Sequence, residues 1–198
     1  MLIDLHVHSA VSPCSSLSVG EILGSARSLG LDGVCITDHG TVGVLAQIRE
    51  GFQPDGLLVL VGMEYSTPQG DFLVFGPVED LGPGMDGKRL IRTVLGAGGA
   101  VVAAHPYRAW RPVDVTVLDA RCAVEVENGR NTDAENRCAA ELAARLNAVA
   151  VSGSDAHILG ELGRLPTRFT VPVRSRADLV QALRCGACAP FHRLADAI

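Results

Sequence analysis

Five of the six histidines in this 198-residue chain lie in short clusters with acidic residues or proline, each at the end of an apolar run. His6-Val7-His8 closes the run that opens at Leu2, and Asp38-His39-Gly40 follows Val34-Cys35-Ile36-Thr37. Glu64 ends the run over 58–63, His105-Pro106 ends that over 100–104, and Asp155-Ala156-His157 follows 148–153. Imidazole nitrogens and carboxylate oxygens suit zinc, iron and manganese, so a shared destination for these side chains would be a multi-metal site. Alternate residues of a strand share a face, so His6 and His8 can reach one ion, with Asp4 placed to orient one ring.

The remaining candidates each leave a choice open. His39 is the ligand of its pair if Asp38 orients it or coordinates beside it; otherwise Asp38 caps a helix and His39 is a bystander. An unpartnered carboxylate closing an apolar run carries a large desolvation cost, so Glu64 is either metal-bound, in a bridging position, or already in solvent. Asp155 and His157 stand on alternate positions and supply two further ligands. Glu125 and Glu127 share a strand face, where one of them touches metal or both form a polar strand end. Cys14 is close enough in sequence to the first cluster to offer a thiolate. Arg108 and Arg130 follow cluster positions and are either planar forks for phosphate or surface arginines. His192 lies outside every cluster and reads as a bystander. Cys185-Gly186-Ala187-Cys188 is a lone CxxC without a second pair, a weak signal for zinc or redox chemistry.

The elements that must position these groups alternate. Strands are expected over 2–6, 33–37, 57–64, 71–75, 100–104, 122–127, 148–152 and 168–172. Between them, Ser18 and Glu21 form a capping-box pattern for a helix that stops at Gly30. Further helices are expected near 41–50, 86–97, 114–120, 133–146 and 175–184. Strands separated by helical patterns imply βαβ units and a largely parallel sheet, whose carboxyl ends converge on one face. A compact, irregular barrel is favoured over an open sheet. No G-x-G-x-x-G or Walker-type loop is present.

Composition narrows the classes. A chain of this length fits one domain over 1–198 with a substantial core, and 47% hydrophobic residues with only 4% aromatic give that core aliphatic character. The net charge of −5 argues against a broad grip on duplex nucleic acid, yet bound cations would reverse the local field and admit a nucleotide or an oligonucleotide end. No stretch reaches the ~18 apolar residues of a membrane span, and no leader pattern precedes the first cluster, so a cytoplasmic protein with reduced thiols is expected.

Taken in order, Asp4-Leu5-His6-Val7-His8-Ser9, Thr37-Asp38-His39-Gly40, Gly62-Met63-Glu64, Ala104-His105-Pro106 and Gly153-Ser154-Asp155-Ala156-His157 resemble the polymerase and histidinol phosphatase (PHP) family of metal-dependent phosphoesterases. The stretch from Val126 to Phe169 is similar to stand-alone bacterial members. The resemblance implies a distorted (β/α)7 barrel of mostly parallel strands holding two to three divalent ions, zinc, manganese or iron. It places His6, His8, Glu64 and Asp155 on the first ion, Glu64 and His105 on the second, and His39 and His157 on the third. Glu64, Asp155 and His105 then carry the catalytic pair of ions. Two departures from the family pattern stand out: Cys14 where an Asp or His commonly completes the third site, and Glu125, Glu127, Asn128 or Asn131 for a further ligand of the second.

The implied reaction is hydrolysis of a phosphate mono- or diester, in a small metabolite, a nucleotide or an oligonucleotide end, by hydroxide bridging two ions. Arg108 and Arg130 would bind the phosphate. Amide or lactone hydrolysis on a similar barrel, and a catalytically silent binding module, are the competing readings. Loops 66–70, 77–87 and 106–113 would shape the pocket.

Overall fold

The computed structural model describes residues 1–191; His192, expected to be a bystander, lies outside them. In chain order the strands and α-helices are β1 Leu2–Val7, α1 Val19–Ala26, β2 Gly33–Ile36, β3 Gly51–Phe52, β4 Leu58–Val61, β5 Met63–Thr67, β6 Gly70–Phe75, α2 Gly87–Gly96, β7 Ala100–Ala103, β8 Ala123–Asn128, α3 Asp133–Leu146, β9 Ala150–Gly153, β10 Thr167–Phe169, α4 Arg176–Cys185 and β11 Cys188–Pro190. The Ser18–Glu21 capping box forms as its spacing requires, and Thr132 with Glu135 builds a second one at α3. Among the described residues no helix is long and apolar enough to cross a membrane.

The strands pair into two sheets, one ordered β11-β10-β1-β2-β4-β3 and the other β5-β6-β7-β8-β9. Parallel pairing runs through β1-β2-β4 and β7-β8-β9, while the other five ladders are antiparallel, more than a plain βαβ repeat would give. No continuous ladder closes the sheets into a barrel among the described residues. They meet instead at two isolated parallel bridges, Val7 with Ala156 and His39 with Glu64. Both seams fall where the clustered site residues emerge.

Side-chain alternation builds the layers. Leu58 and Leu60 of β4 and Ala100 and Val102 of β7 face a core between the sheets, which α4 closes with Leu179 and Leu183. Their neighbours point the other way: Val59 and Val61 pack with Ile22 of α1, and Val101 and Ala103 pack with α2 and α3. The period of two thus fills both faces of each sheet.

Three expected elements came out differently. The run over 57–64 is two strands in different sheets, because the chain turns at Gly62, where a Cβ would lie 2.7 Å from the Phe75 ring and 2.8 Å from the Val74 carbonyl. The region 41–50 gives one 3-10 turn, Gly43–Ala46, with no side-chain cap, before Gly51 at φ +112° leads the chain into β3. The β-branched run Val115-Thr116-Val117 likewise makes a single 3-10 turn.

Candidate metal centre

The strand ends carry five imidazoles and two carboxylates to one point. β1 delivers His6 and His8, the segment after β2 delivers His39, and β5 delivers Glu64 because Gly62 has carried the chain into the second sheet. His105 follows β7, and Asp155 and His157 follow β9. Glu64 stands at the middle. Its Oε2 lies 3.1 Å from His8 Nε2, 3.1 Å from His39 Nδ1 and 3.4 Å from His6 Nε2. Its Oε1 lies 3.0 Å from His105 Nε2. Asp155 Oδ1 sits 3.4 Å from His8 Nε2 and 3.5 Å from His6 Nε2.

Three sets of donors converge within 4.8 Å: His6, His8 and Asp155; His6, Glu64 and His105; and His8, His39 and His157. Two observations fit them to divalent cations. His6 Nε2 and His8 Nε2 face each other at 3.1 Å, an arrangement that needs a proton or a cation between two lone pairs. The Nδ1 atoms of His8 and His105 are buried without a protein hydrogen-bond partner, which is costly unless a non-protein partner completes the site. Mixed N/O sets of this kind suit zinc, iron and manganese alike.

The electrostatics are those of a site built for positive charge. Burial works against the imidazolium of His6, but Asp155, Glu125 and Glu64 outweigh it and raise its pKa well above the ordinary value. His8 is raised as well, by Asp155 and Glu64 against its own burial. Burial would raise Glu64 and Asp155, yet the surrounding imidazoles hold both below the usual carboxylate range. His39 and His157 are lowered, chiefly by burial.

Other residues singled out in the sequence take different places. Asp4 does not orient a histidine ring; its carboxylate accepts from Ser154 N and Oγ and from Gly163 N, tying β1 to the loop after β9. Asp38 accepts from Ser9 N and Oγ and from Ser12 Oγ, so it fixes the loop after β1 and stands outside the donor sets. Cys14 lines the same cavity but also stands outside those sets, and partial burial beside Glu64 and Asp155 pushes its thiol up. Cys185 and Cys188 flank a helix-to-strand turn, one exposed and one buried, and belong to none of the donor sets.

Arg108 is buried at the cavity wall, and two nitrogens of its guanidinium are taken by protein. It donates from Nη2 to Asp155 Oδ2 and Asn128 Oδ1, each at 2.7 Å, and from Nε to Asn131 Oδ1 at 3.0 Å. Arg130 Nη1 lies 2.8 Å from His157 Nδ1 at the cavity wall. That cavity, of about 370 Å³, is also lined by Ser66, Asp71, Trp110 and Arg111. Sequence reading missed Asp71 and Arg111, which form a bidentate pair across 40 residues. It found the loop at 106–113 but not Trp110, the one tryptophan, 77% exposed at the cavity mouth. A larger groove of about 860 Å³ beside Arg176 lies elsewhere and holds no convergent donor set.

Glu125 and Glu127 part company because a register irregularity in the β8–β9 ladder falls between them. Glu125 is fully buried, with Oε1 2.9 Å from His6 Nδ1 and with Oε2 accepting from the His105 amide at 2.8 Å. Glu127 belongs to none of the donor sets.

Comparison with known proteins agrees with this geometry. The sequence profile of the PHP domain matches residues 4–152, and that of a PHP-associated region matches 133–188. An uncharacterized protein of Methanocaldococcus jannaschii is 29% identical over 117 residues, 54% of this chain and 68% of that protein. Among solved structures, PsfC from Pseudomonas syringae superposes with a TM-score of 0.78 at 21% identity, covering 96% of this chain and 90% of its own. A Bifidobacterium adolescentis protein, provisionally described as a metal-dependent phosphoesterase, gives 0.67 at 19% identity with 97% of each chain covered. An amidohydrolase from Chromobacterium violaceum, solved with sulfate and no metal, gives 0.62 at 19% identity over 78% of this chain and 87% of that one. At these identities the structural likeness speaks for the fold alone.

Proposed function

The chain belongs to the PHP domain family, whose profile spans most of it, and from that premise we propose that it is a metal-dependent hydrolase acting on a phosphate mono- or diester. The observation that carries the reading is the convergence of five imidazoles and two carboxylates on Glu64 and Asp155 at the meeting point of two sheets. In this reading the two sheets are the halves of the family's distorted barrel. His6, His8, Glu64 and Asp155 hold the first ion, Glu64 and His105 the second, and His39 and His157 the third. Cys14 is available to the third from the cavity wall.

Such ions, when bound, supply Lewis acidity: they lower the pKa of water and neutralise charge on phosphoryl and leaving oxygens. The protein's own side chains do the rest. Arg130, on the cavity wall, takes a phosphoryl oxygen. Arg108 braces Asp155 from below, a duty that uses donors otherwise available to substrate. Burial of Glu64, His105 and Asp155 strengthens every charge contact made there. A cavity of about 370 Å³ admits a small phosphorylated molecule or a single nucleotide end and no duplex.

Metal analysis of the purified chain together with a phosphoester panel tests this reading. At least one tightly bound ion per chain is expected, with turnover of some phosphate ester that His8→Ala abolishes. Turnover of amides or lactones and of no phosphate ester would move the assignment to the second reading. A metal-loaded wild type inert toward both panels would make the chain a binding module.

A further inference from the structure

We propose that Glu125, supported by Asn128 and Arg108, is the positioning residue of this metal centre: it fixes the His6 ring with Nδ1 protonated and pins the backbone of His105. The inference rests on the metallohydrolase reading and assigns a role to a side chain outside all three donor sets. Glu125 Oε1 lies 2.9 Å from His6 Nδ1, and with the carboxylate as acceptor that nitrogen carries the hydrogen. The ring's Nε2 is thereby aimed at Glu64 and Asp155. The other carboxylate oxygen accepts the His105 amide at 2.8 Å and the Asn128 amide group at 3.0 Å. Asn128 in turn accepts from Arg108, whose Nη2 also holds Asp155 Oδ2. One buried chain of hydrogen bonds therefore reaches His6, His105 and Asp155.

Two further observations point the same way. His105 and Asp155 have φ of +33° and +52°, a left-handed conformation that is unfavourable for a residue bearing a side chain. The chain of bonds grips both of them. Gly153 leaves the space this requires: a Cβ there would stand 2.5 Å from Glu125 Oε1 and 2.6 Å from His6 Cβ.

Glu125→Gln tests the role. A glutamine amide cannot accept from His6 Nδ1, the His105 amide and Asn128 together, so one donor loses its partner. Zinc affinity, read by competition with a chromophoric chelator, is expected to fall about 10–100-fold. A hydrogen-bonded His6 Nδ1–H resonance, present in zinc-free and zinc-loaded wild type, is expected to be lost. A folded variant with unchanged affinity and an unchanged resonance overturns the proposal. Should Glu125→Gln not fold, Asn128→Ala removes only the support; weaker zinc binding with the resonance intact is expected, and unchanged binding overturns it. Failure of the wild type itself to bind zinc, manganese or iron would instead sink the hydrolase reading.

Discussion

Arg108→Ala separates two roles that the sequence could not. The guanidinium is buried and makes three hydrogen bonds, to Asp155, Asn128 and Asn131. Its ion pair with Asp155 is shielded on both sides, the side chains being 7% and 2% exposed, so solvent screening does little to weaken it. Removing one partner of such a pair costs about 3–5 kcal/mol, because the other charge stays buried and uncompensated. For a chain of this size about 2–4 °C of Tm accompany each kcal/mol, which gives a loss of roughly 6–20 °C in chelator-treated protein. Divalent ions would compensate Asp155 in part, so the loss should shrink when the protein is reloaded. Thermal denaturation with and without metal, alongside kcat and KM on the best phosphoester, reads all of this. The bracing role is refuted if Tm and metal content are unchanged while KM alone rises, the signature of a phosphate fork.

Further outcomes are expected elsewhere. Gly153→Ala places a methyl about 1 Å inside normal contact with Glu125 and His6; overpacking of this kind costs about 1–3 kcal/mol, and a comparable displacement of a catalytic group costs about 100-fold in rate. Wild-type Tm and zinc affinity in that variant would contradict the close packing described. Metal-free protein should lose stability as pH rises. The raised values of His6 and His8 give a contribution fully present below the ordinary imidazole value of about 6.5 and lost as pH climbs through their folded values. The lowered values of Glu64 and Asp155 act at the acid end, where stability falls with pH, and those of His39 and His157 act only below about 6.5. Metal-loaded protein, with ions in place of those protons, should hold its Tm over the same alkaline range. A metal-free Tm that climbs steadily above neutrality would count against these assignments.

The five imidazoles were legible because each combines a rare residue type with the end of an apolar run, and Glu64 and Asp155 because they stand at such an end or beside a histidine there; convergence follows from topology. Neither signal depends on a distant partner. The switch between sheets was not legible. Gly62 looked like a glycine inside a single run over 57–64, and only its closeness to Phe75 and Val74 shows why no side chain fits at the point where the chain passes from one sheet to the other. Glu64 reaches the cluster through that turn, so the residue was singled out while the reason for its position was hidden.

Asp4, Asp38 and Glu125 mark the limit more sharply. All three are acidic residues at or near strand ends, all are fully buried, and sequence position offers no means of ranking them. Their roles are decided by what arrives from elsewhere in the chain. Ser154 and Gly163 come from 150 and 159 residues away and commit Asp4 to a loop. Ser9 and Ser12 commit Asp38 to another. His6, 119 residues distant, meets Glu125, and with it one of the two glutamates read either as touching metal or as a polar strand end becomes the partner of a clustered imidazole. A buried carboxylate must satisfy its oxygens, so the donor that reaches it decides its function: hydroxyls and amides make a structural clasp, and an imidazole makes a brace for a metal ligand.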